Sequence, residues 1–213
     1  MNIKNAMMVV LTMLTINCFS QTTFGVRAGA NFFNINTKDA GVSGIDGKIK
    51  PGFNIGANAE IPVGIDFYVQ PGLLFSTKGA KSKSDDGKLN LSYLEIPVNF
   101  LYTPELGKGR ILLGFGPYAA FAVGGTYKVN GASTDIQFEN SIPSTTVSGY
   151  YKKRFDAGGN LLFGYRWANR FSVQLDAQLG LVNIHTKREG TPADNASEKN
   201  TGFGVSFGYR FGK

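Results

Sequence analysis

Thr201-Gly-Phe-Gly-Val-Ser-Phe-Gly-Tyr-Arg-Phe211 alternates strictly. Phe203, Val205, Phe207, Tyr209 and Phe211 fall on one face, and Gly202, Gly204, Ser206, Gly208 and Arg210 on the other. A period of two is the signature of a β-strand, whose successive side chains point to opposite sides. An apolar face with aromatics near its end, backed by glycines and one charge, suits a wall between lipid and a crowded polar interior. The stretch predicts one strand of a membrane-spanning barrel.

Seven earlier segments repeat the period. Val26, Ala28, Ala30 and Phe32 oppose Arg27, Gly29 and Asn31; Phe53, Ile55, Ala57, Ala59 and Ile61 oppose Asn54, Gly56, Asn58 and Glu60. Phe67, Val69, Pro71, Leu73 and Phe75 oppose Tyr68, Gln70, Gly72 and Ser76, and Leu94, Ile96, Val98, Phe100 and Tyr102 oppose Glu95, Pro97 and Asn99. Ile111, Leu113, Phe115, Ala119, Phe121 and Val123 oppose Gly114, Gly116, Tyr118 and Gly124. Phe155, Ala157, Leu161, Phe163 and Tyr165 oppose Asp156, Gly158, Asn160 and Arg166. The seventh sets Phe171, Val173, Leu175, Ala177, Leu179 and Leu181 against Ser172, Gln174, Asp176 and Gln178. Each segment is about ten residues or more, enough to cross a bilayer when tilted. The predicted fold is all-β, an eight-stranded antiparallel transmembrane up-and-down β-barrel. Pro71 and Pro97 each withhold a ladder donor, and local bulges are expected there.

The connections sort alternately by length. Pro62-Val-Gly-Ile-Asp66, Thr103-Pro-Glu-Leu-Gly-Lys-Gly109 and Trp167-Ala-Asn-Arg170 are short turns, whereas residues 34–51, 78–88, 125–149 and 184–200 are long and polar. Membrane barrels keep short turns in the periplasm and long loops outside. The third long loop, with Ile136, Phe138, Ile142 and Val147, is long enough to fold over the mouth.

Composition agrees. The 213 residues include 28 Gly, 17 Phe and 9 Tyr, with 42% hydrophobic residues and mean hydropathy −0.09. A helical membrane protein would not average so polar, whereas a wall alternating between lipid and lumen would. A soluble eight-stranded lipid-binding barrel is the rival; it would invert the two faces, and the small glycine-rich face suits a packed lumen better than a solvated exterior.

The N-terminus reads differently. Lys4 precedes an apolar run of about a dozen residues ending near Asn17-Cys-Phe-Ser-Gln21, which suits a secretory signal over 1–20, cleaved near Ser20 or Gln21, and leaves 21–213 as the barrel domain. A membrane anchor would need about 20 apolar residues. Cys18 is the only cysteine, a conceivable lipidation acceptor with poor company in Thr15 and Asn17. No disulfide or thiolate metal site is expected.

The net charge of +7 falls by one with Lys4. Its lysines lie in polar stretches such as Lys78-Gly-Ala-Lys-Ser-Lys-Ser-Asp-Asp-Gly-Lys88 without interleaved aromatics, so nucleic acid is not expected. His185, the single histidine, sits near the outer rim beside Asn183 and Thr186. Without a clear serine and carboxylate around it, no enzyme, metal or cofactor is expected. Gly124-Gly-Thr126 has no helix after it to make a phosphate cradle.

Three stretches carry a resemblance: Ser92-Tyr-Leu-Glu-Ile-Pro-Val-Asn-Phe-Leu-Tyr102, Gly114-Phe-Gly-Pro-Tyr118 and Gly202-Phe-Gly-Val-Ser-Phe-Gly-Tyr-Arg-Phe211. Together they resemble the small outer-membrane β-barrel proteins labelled porin family, of which a type IX secretion accessory barrel is one branch. The resemblance implies a single-domain outer-membrane barrel and little about activity. Such barrels commonly finish on an aromatic residue read by the barrel-assembly machinery, and here Gly212 and Lys213 follow Phe211.

Arg27, Glu60, Glu95, Asp156, Arg166, Asp176 and Arg210 all fall on the inward face. Eight strands leave an interior only wide enough for side chains to fill. These charges must therefore pair with one another or with trapped water, since each would cost several kcal/mol if buried alone. Glu95 and Arg210 are the preferred members, with Glu60, Asp176 and Arg27 as partners. The expectation is a monomer in outer-membrane lipid, with a salt-bridged lumen and loops that suit an extracellular ligand or protein. The alternatives are a narrow passive or gated channel and an accessory factor in secretion.

Overall fold

The computed structural model describes residues 21–38, 48–82, 86–146, 149–190 and 196–212. The expected signal over 1–20, and Val147, lie outside these. Among the described residues, eight long strands form the wall: β1 (Thr23–Lys38), β2 (Lys50–Gly64), β3 (Phe67–Lys81), β4 (Lys88–Tyr102), β5 (Gly109–Val129), β6 (Phe155–Trp167), β7 (Phe171–Gly180) and β8 (Ser197–Phe211). Each pairs antiparallel with its neighbour in sequence, and β8 pairs with β1 from Phe24↔Phe211 to Lys38↔Ser197, which closes the barrel.

The alternation lands as the sequence predicts. Phe24, Phe53, Ile96, Phe115, Leu161, Phe163 and Phe207 stand exposed on the outer face, while Asn31, Asn54, Asn99, Asn160 and Ser206 are buried within. Aromatic rings gather at two levels. Phe24, Phe67, Tyr102, Trp167, Phe171 and Phe211 ring the end with the short turns; Phe53 stacks near Phe75, Phe32 on Phe203, and Phe121 faces Phe155 at the other end. On β1, β3 and β8 the two levels are eight residues apart. At about 3.3 Å per residue and a tilt near 40°, that is roughly 20 Å between ring levels, matching the apolar band of a membrane barrel.

Glycine on the inner face allows the close approach that closure requires. A Cβ on Gly29 would stand 2.1 Å from the Val205 carbonyl oxygen across the β1–β8 seam, and one on Gly204 would meet the Asn31 amide oxygen at 2.8 Å.

Two expectations are corrected here. Pro71 and Pro97 produce no bulge: the register on either side of each is unchanged, and it shifts instead at Pro62/Gly64 and Ser92/Tyr93. The missing donors are absorbed as local gaps in the ladder. The long polar segment 78–88 is strand at both its ends, since β3 runs to Lys81 and β4 starts at Lys88, leaving a connection no longer than that between β4 and β5. Strands that project beyond the membrane no longer need apolar outer faces, so their polar ends read as loop.

The other long connections carry structure of their own. Ala132–Phe138 folds back on the end of β5, then Ile136–Phe138 pairs parallel with Tyr150–Lys152. Ser141–Pro143 pairs parallel with Lys187–Glu189 of the β7–β8 connection. The Lys153 amide donates to the Ile184 carbonyl, and the Thr186 hydroxyl to the Glu139 carbonyl at 2.8 Å. The two connections are thereby laced into one cap.

Candidate functional site

The lumen is built in layers. At the end with the short turns, Arg166 and Arg210 both grip Glu60, at 2.8 and 2.6 Å, and the Gln70 amide also donates to Glu60. The lumen opens there as a cavity of about 740 Å³, lined by Tyr68, Arg110, Arg166, Trp167 and Arg210 among others. Arg110 is itself paired with Asp66 of the β2–β3 turn.

Above this, Arg27 pairs with Asp176 at 2.8 Å and donates to Gln174. A neutral layer follows: Asn31 donates to Ser76, Asn54 to Asn31, and Ser206 to Asn54. Across the lumen, Asn160 donates to Asn99 and Asn99 to Gln70.

The next group centres on Lys78, whose side chain is fully enclosed. Its ammonium lies 2.8 Å from Glu95 and 3.7 Å from Asp156, with Phe33, Tyr93 and Tyr118 around it at 4.3–5.4 Å from ring centroids. Gln178 donates to Glu95, and Asn200 and Tyr118 donate to Asp156. The two carboxylates share the one ammonium, and each has at least one further donor, which offsets part of the cost of burying the charges.

All seven inward charges expected from sequence sit in these groups. Arg210 meets Glu60, one of the expected partners, but Glu95 meets none of them and pairs with Lys78 instead. Depth along the lumen separates them, and depth follows from shear, which alternation does not encode. Lys78 reads as a loop residue in the sequence. Its parity with Ser76 is the signal that places it inside.

The interior is also less polar than expected. Above Lys78, Ile35, Leu89, Leu91, Ala120, Ala122 and Ile184 form an apolar core with Tyr93, and Ile136 of the cap packs into it. Ile136 and Ile142 are both buried, as a loop folded over the mouth requires. Leu91 and Tyr93 share the inward parity of Glu95, so their place is legible from the alternation.

A last group stands above the membrane band, five residues beyond Phe203 on β8. Glu198 is buried and paired with Lys152 of the cap, and His185 Nδ1 lies 3.4 Å from its other oxygen. Burial alone would raise the Glu198 carboxyl; the hydrogen bond with His185 and the charge and hydrogen bond of Lys152 outweigh it and hold the carboxyl down to about 2. His185 is thus part of an ion-pair cluster. Among the described residues no group of three or more histidine, cysteine or carboxylate side chains is placed to hold a metal ion.

Residues 19–186 match the model of the outer membrane protein beta-barrel domain. The chain belongs to that family. An outer-membrane barrel is what the closed sheet, the apolar belt and the two aromatic levels describe, and the outer membrane is its location. No curated protein matches the sequence. Among solved structures, the chain is similar to OprG of Pseudomonas aeruginosa, at 12% identity, covering 90% of this chain and 96% of that one, with a TM-score of 0.48. A major outer membrane protein of Thermus thermophilus gives 14%, 90%, 100% and 0.46. Ail, the attachment invasion locus protein of Yersinia pestis, solved with the heparin analogue sucrose octasulfate, gives 12%, 89%, 99% and 0.42.

Proposed function

We propose that this outer-membrane barrel is closed to passage and serves as a rigid scaffold for a folded extracellular binding surface. The observation that carries the reading is the filled upper lumen. The cavity of about 740 Å³ at the periplasmic mouth gives way above to voids of about 10 and 20 Å³. A water molecule needs roughly 10–15 Å³ by this measure, so each void has room for one. The apolar core around Leu89, Leu91 and Ile184 and the laced cap then lie between these voids and the outside. A cap held by its own ladders and core is a defined surface, as loop-borne recognition on a rigid frame requires.

No catalytic step is part of this reading. Purified protein in planar bilayers should show no stepwise conductance at moderate voltage, while surface-exposed cap residues should be protected when a ligand binds. Discrete channel openings from the wild-type protein would overturn the closed-barrel reading.

A narrow gated channel is the second reading, favoured by one observation. The Lys78 ammonium sits between two carboxylates, Glu95 and Asp156, so its pairing can pass from one to the other without the cation losing a partner. A conductance that appears in Lys78→Met but not in wild type would support it. A role as accessory factor in secretion rests on the sequence resemblance alone; comparing the secreted proteins of a deletion strain with its parent tests it.

A further inference from the structure

Register places four lysines side by side. Lys48 bridges to Lys81, Lys81 is the cross-strand partner of Lys88, and Lys88 is the partner of Lys128. The row crosses the segment entering β2, then β3, β4 and β5, on the side of the long connections. Lys48, Lys88 and Lys128 are exposed and Lys81 is half-buried. Lys81 shares the outward parity of Phe75 and Lys88 that of Leu94, so the row lies on the outer wall.

Like charges directly opposite in a sheet are destabilising. Here three such juxtapositions follow one another, and none of the four lysines forms an ion pair among the described residues. Asp86 in the β3–β4 turn and Asp135 opposite Thr126 are the described carboxylates nearest in sequence register. Neighbouring strands are about 4.8 Å apart, so the row is roughly 14 Å long with one charge per strand.

Its height selects the partner. A parallel row, Phe75↔Leu94↔Phe121, marks the upper edge of the apolar belt. Lys81 and Lys88 lie six residues beyond it on their strands, about 15 Å along the membrane normal at the usual rise and tilt. The headgroup layer is only about 5–8 Å thick on each side. The row therefore stands clear of lipid phosphates: on β3 and β4 the outward residues between are polar or small, Thr77, Gly79, Asn90 and Ser92, while exposed Val123 on β5 and Ile49 beside Lys48 are apolar.

We propose that this lysine row binds a linear acidic polysaccharide arriving from outside the cell, laid across the strands so that successive anionic groups meet successive lysines. The idea rests on the scaffold reading only in taking this side of the barrel as the displayed surface; a barrel that conducts could still carry the row.

The test measures binding of dextran sulfate to the full-length barrel in neutral detergent, with uncharged dextran as the blank. Wild type should bind at low salt and release as ionic strength approaches 1 M, where screening falls to about 3 Å. The variant Lys48→Gln/Lys81→Gln/Lys88→Gln/Lys128→Gln should bind at least tenfold more weakly, and Lys81→Gln/Lys88→Gln about threefold more weakly. A control with the same change in charge as the double variant, Lys108→Gln/Lys199→Gln, should stay within twofold of wild type. Heat-modified migration on gels confirms that each variant is folded. Equal loss in row and control variants, no binding by wild type, or binding only to vesicles of anionic lipid would each overturn the proposal. Conductance of the row variant, measured in parallel, reports separately on the closed-barrel reading.

Discussion

The ammonium of Lys78 lies 2.8 Å from Glu95 inside a cage of three aromatic rings, with the side chain fully removed from solvent. Removing one partner of a buried pair strands the other, at a cost of about 3–5 kcal/mol. Lys78→Ala should therefore lower the heat resistance of the folded barrel on gels sharply, and Glu95→Ala likewise. The triple variant Lys78→Met/Glu95→Leu/Asp156→Asn should recover part of the loss, because no charge of the group is then left alone. Unchanged heat resistance in both single variants would rule out the pair as a structural element.

Glu60 is shared by Arg166 and Arg210. The two guanidinium groups depend on one carboxylate, so the three positions are not equivalent. Glu60→Gln should destabilise more than Arg166→Gln, which leaves the Arg210–Glu60 contact in place. Urea midpoints in micelles give the order; Arg166→Gln as damaging as Glu60→Gln would contradict it.

Acid should loosen the cap. The Glu198 carboxyl is depressed in the fold, so its contribution is complete above the ordinary carboxylate value near 4.5 and is lost as pH falls toward about 2. The contribution is of order 3 kcal/mol at most, since a unit of pKa corresponds to about 1.4 kcal/mol and the group is coupled to its partners. Amide exchange in 150–153 and 184–189 should accelerate across that window. In Lys152→Met the acceleration should begin at higher pH.

The β1–β8 seam has no room at Gly29. Gly29→Val should give a chain that fails to acquire the compact gel mobility of the closed barrel, whereas Gly124→Ala, where an added Cβ meets nothing within 4 Å, should fold normally.

Which side of each strand faces lipid is legible within the apolar belt, because a lipid-facing wall enforces the period of two over about ten residues at a time; beyond it the register shift at Ser92/Tyr93 turns Gly124, expected inside, to the outer face opposite Ser92. Parity alone places Arg27 and Asp176 inside, and Arg210 with them. Partner choice is not legible: Glu95 and Arg210 share a face but lie at different depths, and depth depends on how far each strand is staggered around the barrel. Lys78 escapes for a different reason. Outside the membrane the outer face turns polar, so Thr77, Lys78 and Lys81 together look like a loop even though the inward series Ser76, Lys78, Ala80 continues unbroken. The Lys152–Glu198 pair joins a cap segment to a strand end, a contact that no local pattern announces.

Three of the lumen ion pairs join distant parts of the chain: Arg27 to Asp176 across 149 positions, Arg166 to Glu60 across 106, and Arg210 to Glu60 across 150. None of them can form before the second half of the chain is present, because the carboxylate and its cation belong to opposite halves. Until β8 docks on β1, a folded lumen would hold stranded charges and is disfavoured. The interior ion pairs thus act as a completeness check: they make a half-built barrel unstable in lipid and reward only the chain whose last strand has found its first.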